Sequence, residues 1–328
     1  MGGSNEPKHV ATVPDRVPNS VPNSVPDSVP GTGTADGVVR ETAAHNLRAI
    51  AAMLVSTVLY TCSDAALKFV SAAMPTSEAV FLRSLGTVAI LVLAAWCTGV
   101  MATFRQGLRP LMLWRGLADA GNSLCFQAAL ARMPLGDAMG ILQLTPLCLT
   151  AASALILKAH VGWRRWSAVA AGLVGALLVI KPGSSAFNGW AILAVLSVLC
   201  GTFRDLSSRR FEPGLSPLII LALSQSIVGV CALAGIVVEQ WVLPGPLVAL
   251  QLGVGALFIA GGHFFALQAV RSSDLAVVAP FRYAGIVWAI LLGFAFWGDV
   301  PDMFSASGIV ILIAAGLYTF HRERKVRR

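Results

Sequence analysis

Several polar and charged side chains interrupt otherwise apolar stretches of this 328-residue chain at spacings that could handle a charged solute. Asp64 and Lys68 stand four residues apart, so on a helix they share one face and either neutralise each other or line a polar path. Arg83 lies five residues beyond Glu78 in the next apolar run, deep enough that snorkelling is strained and anion binding becomes a reading. Arg115 and Asp119 repeat the four-residue spacing, with Asn122 one turn further; Arg115 reads as a snorkelling anchor and Asp119 as the deeper candidate. Gln143 precedes Thr145-Pro146, where a proline inside a helix frees a backbone carbonyl for a ligand or water, or simply kinks the helix. His263 follows Gly261-Gly262, where small residues allow close packing or room for a ligand; the imidazole is either hydrogen-bonded within a bundle or a proton carrier. Pro280, Arg282, Tyr283 and Trp288 combine a broken helix, a cation and aromatic faces, which suits a planar or anionic solute; the alternative is a packed helix with Arg282 paired inside.

None of this forms an enzyme signature, since Gly-x-Ser-x-Gly, His-Glu-x-x-His and P-loop patterns are all missing from the sequence. The expectation is therefore a non-enzyme, with no metal and no ATP-driven step in this chain. An integral membrane acyltransferase is the reading from a different class. The six cysteines (Cys62, Cys97, Cys125, Cys148, Cys200 and Cys231) lie in or at the ends of apolar runs, without ligand spacing, and read as small buried side chains.

The elements that position these residues follow from composition. Apolar and aromatic residues make up 56% of the chain and charged ones 12%, more apolar surface than a water-soluble domain of this size can hide. Ten apolar runs are visible: 47–70, 79–98, 111–131, 138–157, 166–180, 190–203, 215–238, 247–269, 275–297 and 304–320. Most approach the roughly 20 residues that cross a hydrocarbon core. Unpaired backbone is too costly in lipid, and these runs lack the alternation of barrel strands, so the fold class is an all-α membrane protein.

Counted from a cytoplasmic N-terminus, the inner loops carry Arg105, Arg109, Lys158, Arg164, Arg165, Arg204, Arg209, Arg210 and Arg271, followed by a basic tail over 322–328. The outer loops hold only Arg132 and Lys181, beside Glu239, Asp299 and Asp302. Both termini are thus expected inside, and the net charge of +8 is explained by orientation without a nucleic-acid partner. Residues 1–45 contain Val13-Pro-Asp-Arg, Val17-Pro-Asn-Ser, Val21-Pro-Asn-Ser and Val25-Pro-Asp-Ser with a period of four; proline at that spacing denies helix and sheet, which predicts a disordered cytoplasmic tail over 1–45.

A weak internal repeat lays Ala129–Ala138 on Ala266–Leu275, each with Ala-Leu near the end of one span and Asp at the start of the next. Five spans per half, over 46–183 and 184–321, make the second copy inverted in the membrane, a recurrent transporter design. At these residues the chain resembles the drug/metabolite transporter superfamily with two EamA-type repeats. The residues that carry the resemblance are Ser63–Lys68, Phe81-Leu82-Arg83, Ala129–Pro146, Val277–Tyr283 and Trp288–Gly293. The resemblance implies about ten helices in two inverted five-helix repeats around a central substrate cavity, with no bound cofactor, in a multi-pass inner-membrane protein. It departs from the pattern at Lys158-Ala159-His160, where such chains have Gly-Glu, and keeps the acidic residue in Trp297-Gly298-Asp299. By the same resemblance the partners are the bilayer and a small polar organic metabolite, with room for a homodimer. Ser63–Lys68 and Ala279–Gly293 look closer to importers, which makes uptake of riboflavin or a similar metabolite the leading expectation. Export of amino acids or related metabolites is the alternative.

Overall fold

A computed structural model describes residues 35–156, 162–183, 187–208, 216–272 and 275–327. The Pro-rich repeat, Lys158-Ala159-His160 and Asp274 lie outside the described residues. The chain divides into a short N-terminal unit, Met1–Thr42, and a body, Ala43–Arg328.

Every described element is helical, and the long ones number ten. They are α1 (Ala35–Val70), α2 (Thr76–Cys97), α3 (Pro110–Leu130), α4 (Leu135–Ile156), α5 (Trp163–Ile180), α6 (Ala191–Ser208), α7 (Pro217–Leu233), α8 (Pro246–Ser272), α9 (Pro280–Trp297) and α10 (Met303–Arg327). Seven of the ten meet length and hydropathy requirements for a span, with α5 and α10 as shorter apolar helices. The remaining one, α3, carries Arg115, Asp119, Asn122 and Gln127. Local chemistry sets the boundaries: Pro110 and Pro217 stand in the first turns of α3 and α7, where a missing N–H costs nothing. Gly298 ends α9 in the left-handed region at φ 69°, which a glycine adopts without penalty.

The sixth span is longer than its apolar run, because α6 continues past Phe203 through Arg204 and Asp205 to Ser208. Arg204 is therefore not a loop residue, which corrects its placement among the inner loops.

Contacts between the halves come in pairs related by an exchange of α1–α5 with α6–α10. Helix α3 packs on α6 while α1 bonds α8 through Ser56 and Ser63; α3 packs on α7 while α2 packs on α8. Helix α4 packs on α6, and Thr57 and Thr61 of α1 meet Gly285 of α9. The pairs α2–α7, α4–α9 and α5–α10 map onto themselves. This is the pattern of an inverted repeat.

A core centred on Leu135, Ile141, Leu147, Ile286 and Leu312 joins α4, α9 and α10. Large apolar side chains such as Trp96 (72% exposed) and Leu93 face outward, as a bilayer solvent requires. Cys97 is also exposed and Cys62, Cys125, Cys148, Cys200 and Cys231 are half-buried, so none of the six is fully buried as expected, and all are free thiols.

Candidate functional site

Asp64 of α1 meets Arg83 of α2, with Nη1 and Oδ1 at 3.7 Å, and Gln127 of α3 donates Nε2–H to the same Oδ1 at 2.7 Å. Ser63 accepts from Arg83 Nη1 at 3.4 Å and donates to the Gly255 carbonyl of α8 at 2.9 Å. Arg83 is 2% exposed, so four helices close around its guanidinium. Lys68 has other partners: Nζ donates to the Met133 carbonyl at 2.6 Å and pairs with Asp299 at 3.4 Å, lying over the Trp297 ring. The expected Asp64–Lys68 pairing is thus replaced by two separate pairs. Arg83 outcompetes Lys68 because its fork sits beside Asp64, while Lys68 is a turn nearer the helix end, within reach of Asp299.

A second buried group forms where α3 meets α6 and α7. Arg204 Nη1 pairs with Asp119 Oδ1 at 3.0 Å, and its Nε with Asp205 Oδ1 at 2.9 Å. Arg115 donates Nε–H to Ser208 Oγ at 2.8 Å and Nη1–H to Ser224 Oγ. At 8% exposure Arg115 is inside the bundle, which overturns its reading as a snorkelling anchor. Among the described residues it makes no ion pair; hydroxyls from two helices hold it. Asn122, one turn beyond Asp119, packs its Oδ1 against Gly201 of α6.

Between these groups stand Tyr60 and His263. The Tyr60 hydroxyl and His263 Nδ1 are hydrogen-bonded at 2.7 Å, with rings edge to face at 5.2 Å between centroids. Arg83, Arg115, Asp119 and Arg204 all act electrostatically on His263, and Arg282, Arg204 and Asp119 on Tyr60. One helix, α3, links the two groups: Asp119 and Gln127 are eight residues, or about 12 Å, apart along it.

Both fourth helices of the halves are broken. Helix α4 is interrupted at Gln143–Leu144, and α9 opens as a 3-10 turn over Ala279–Tyr283. Pro146 leaves the Leu142 carbonyl without its helical donor, but Thr145 Oγ takes it at 2.7 Å. The carbonyl expected to be open to a ligand is therefore capped by the neighbouring threonine, and Gln143 stands at the break. The grouping of Arg282, Tyr283 and Trp288 is also divided. Tyr283 is buried with its hydroxyl against Gly316 of α10, whereas Arg282 is exposed and makes no ion pair among the described residues. Trp288 Nε1 is buried without a hydrogen-bond partner among the described residues.

Sequence reasoning missed Arg204, Asp205, Gln127, Tyr60, Ser208 and Ser224. The Arg-Asp step at 204–205 was a readable signal, because adjacent opposite charges at the end of an apolar run let the helix continue. The serines and Tyr60 carry no pattern that separates a charge partner from ordinary helix packing.

Arg83, Arg115 and Arg204 bring guanidinium donors together with Asp64 and Asp119 acceptors inside a membrane bundle, an arrangement able to hold a solute that carries both charges. Residues 47–181 match the model of the EamA-like transporter family. The chain is 29% identical over 262 residues to a pseudopaline exporter of Pseudomonas aeruginosa, covering 78% of this chain and 90% of that one. It is 24% identical over 289 residues to an S-adenosylmethionine uptake transporter of Rickettsia prowazekii, covering 85% and 94%. A riboflavin transporter of Rhizobium johnstonii is 30% identical over 206 residues, covering 61% and 67%. A crystal structure of a protein 19% identical superposes with a TM-score of 0.57 over 87% of this chain and 99% of that one, a likeness of fold.

Proposed function

Since the chain belongs to the EamA-like transporter family and is a membrane transporter of a small polar metabolite rather than an enzyme, we propose that it exports amino acids or related metabolites. The observation that carries this reading is the similarity to the pseudopaline exporter, which extends over 90% of that protein. The riboflavin match is slightly higher in identity but spans 61% of this chain, so uptake of riboflavin gives way as the leading reading. Buried Arg115 supports the same choice, because a guanidinium held by two hydroxyls keeps its charge for an arriving carboxylate. Asp64 and Asp119 are the acceptors for a substrate ammonium.

The test is export from bacteria that express the protein and are fed dipeptides, which raise internal amino acids. Faster appearance of amino acids in the medium than in cells carrying the empty vector is the expected result. Unchanged efflux together with rescued growth of a riboflavin auxotroph would return the uptake reading.

The same reading keeps both termini cytoplasmic in the inner membrane, on the asymmetry of Lys and Arg. A reporter active only in the cytoplasm should give signal after Arg328 and none within 183–188. Signal at the second site alone reverses the orientation.

A further inference from the structure

The sequence Gly261-Gly262-His263 places a residue without a side chain directly before the imidazole. A Cβ on Gly262 would lie 2.8 Å from the Tyr60 ring, so glycine lets the tyrosine lie on the α8 backbone. Ser56, one turn earlier on α1, donates its hydroxyl to the Gly262 carbonyl at 2.9 Å and fixes the register of the two helices. These contacts carry the Tyr60 hydroxyl to His263 Nδ1. The other ring nitrogen, Nε2, is buried and has no hydrogen-bond partner among the described residues. A buried polar atom without a partner is costly, and its retention calls for an explanation.

The surroundings supply one. Arg83, Arg115, Asp119 and Arg204 act electrostatically on His263, and Arg282 on Tyr60, with Asp64 paired to Arg83 and Asp205 to Arg204. Arg83 and Arg204 are paired with Asp64, Asp119 and Asp205, whereas Arg115 makes no ion pair among the described residues and is the cation left for an anion. An anionic oxygen is drawn to such a place, and a nitrogen lone pair would repel it where an N–H would bind it. A phenol O–H is a stronger donor than an imidazole N–H, and an imidazole nitrogen is a stronger acceptor than a phenol or serine oxygen, so the Tyr60 hydroxyl donates to Nδ1, which puts the imidazole proton on Nε2.

We infer that His263 is a fixed hydrogen-bond donor to the transported solute, with Nε2–H bonding a carboxylate oxygen and Tyr60 setting the tautomer. The inference rests on the proposed export of amino acids or related metabolites for the identity of the acceptor. The position of the proton does not depend on that reading.

The test uses the full-length protein labelled with 15N-histidine in lipid bilayers, with the His263 resonances identified by their loss in His263→Gln. Expected are an Nε2-protonated neutral ring in the solute-free protein and a shift of the Nε2 resonance on adding a mixture of the twenty amino acids. The corresponding amino-acid amides, which lack the carboxylate, should leave it in place. Tyr60→Phe keeps the ring on Gly262 and removes only the hydroxyl, so it should mix the two tautomers. In proteoliposomes it should raise the KM for amino-acid counterflow about tenfold with Vmax within about twofold. His263→Gln, which keeps an N–H donor, should be milder than His263→Leu; equal losses from both would mark a packing role and overturn the inference. An Nδ1-protonated ring in the solute-free protein overturns it whatever is carried. An Nε2 resonance that ignores saturating amino acids in protein that transports them also overturns it. Parent protein that moves no amino acid overturns the functional reading, while the tautomer still decides the role of Tyr60.

Discussion

Lys68 of the first half reaches Asp299 of the second, Nζ to Oδ2 at 3.4 Å, and so leaves Asp64, one turn back on its own helix, to Arg83. The contact ties the end of α1 to the end of α9, and the Met133 carbonyl adds the end of α3. Lys68→Met and Asp299→Asn should each lower the unfolding midpoint in detergent. The double variant should lose less than the sum, with a coupling of about 1 kcal/mol for a half-buried pair. Additive losses would mean that the pair contributes nothing beyond its separate contacts.

Helices α5 and α10 touch backbone to backbone, because a Cβ on Gly175 would sit 2.8 Å from the Gly308 carbonyl oxygen. Contacts this close are what glycine provides between helices in lipid, where packing replaces the hydrophobic drive. Gly175→Val and Gly308→Val should therefore reduce the yield of folded protein on a sizing column. Gly162→Ala, where an added Cβ would meet nothing within 4 Å among the described residues, serves as the control. Normal yields for both valine variants would show that the helices can part without loss.

The ten helices and their inverted pairing were legible in the sequence because each depends on a run of residues rather than on one contact. The partners of individual charges were not. Asp64–Lys68 is the nearest pairing along the chain, but tertiary packing offered Arg83 and Asp299 at the same time. Arg204 was hidden by the rule that basic residues mark loops, which fails when a neighbouring helix supplies a carboxylate such as Asp119. Tyr283 carried the right chemistry for a ligand and was claimed by Gly316, a position 33 residues later whose relevance no spacing announces.

Asp302, in the loop before α10, accepts hydrogen bonds from Lys181 and from the Ser305 backbone N–H, and the Lys181 bond first of all holds its carboxyl below the usual carboxylate range. A carboxyl depressed by folding stabilises the protein above its unfolded pKa, about 3.9, and the benefit is lost as pH falls through the folded value. The difference in thermal midpoint between the parent and Asp302→Asn should thus be present at neutral pH and shrink as the pH drops below about 4. A gap that stays constant down to pH 3 would assign the effect to something other than ionisation.

Arg115 and Arg204 are neighbours in the same bundle, and neutralising them should have opposite consequences. Arg204→Gln leaves the buried Asp119 and the half-buried Asp205 without their shared cation, so the yield of inserted protein should fall. Arg115→Gln leaves only the Ser208 and Ser224 hydroxyls, which a glutamine amide or water can satisfy, so folding should survive. Transport should not: without the guanidinium a carboxylate loses a charge-assisted hydrogen bond of about 1.5–3 kcal/mol, roughly a tenfold or greater rise in KM. Membrane yield and counterflow are measured on the same preparations. If Arg115→Gln transports like the parent at equal yield, the buried guanidinium is a structural strut between α3, α6 and α7, and the carboxylate must be held elsewhere.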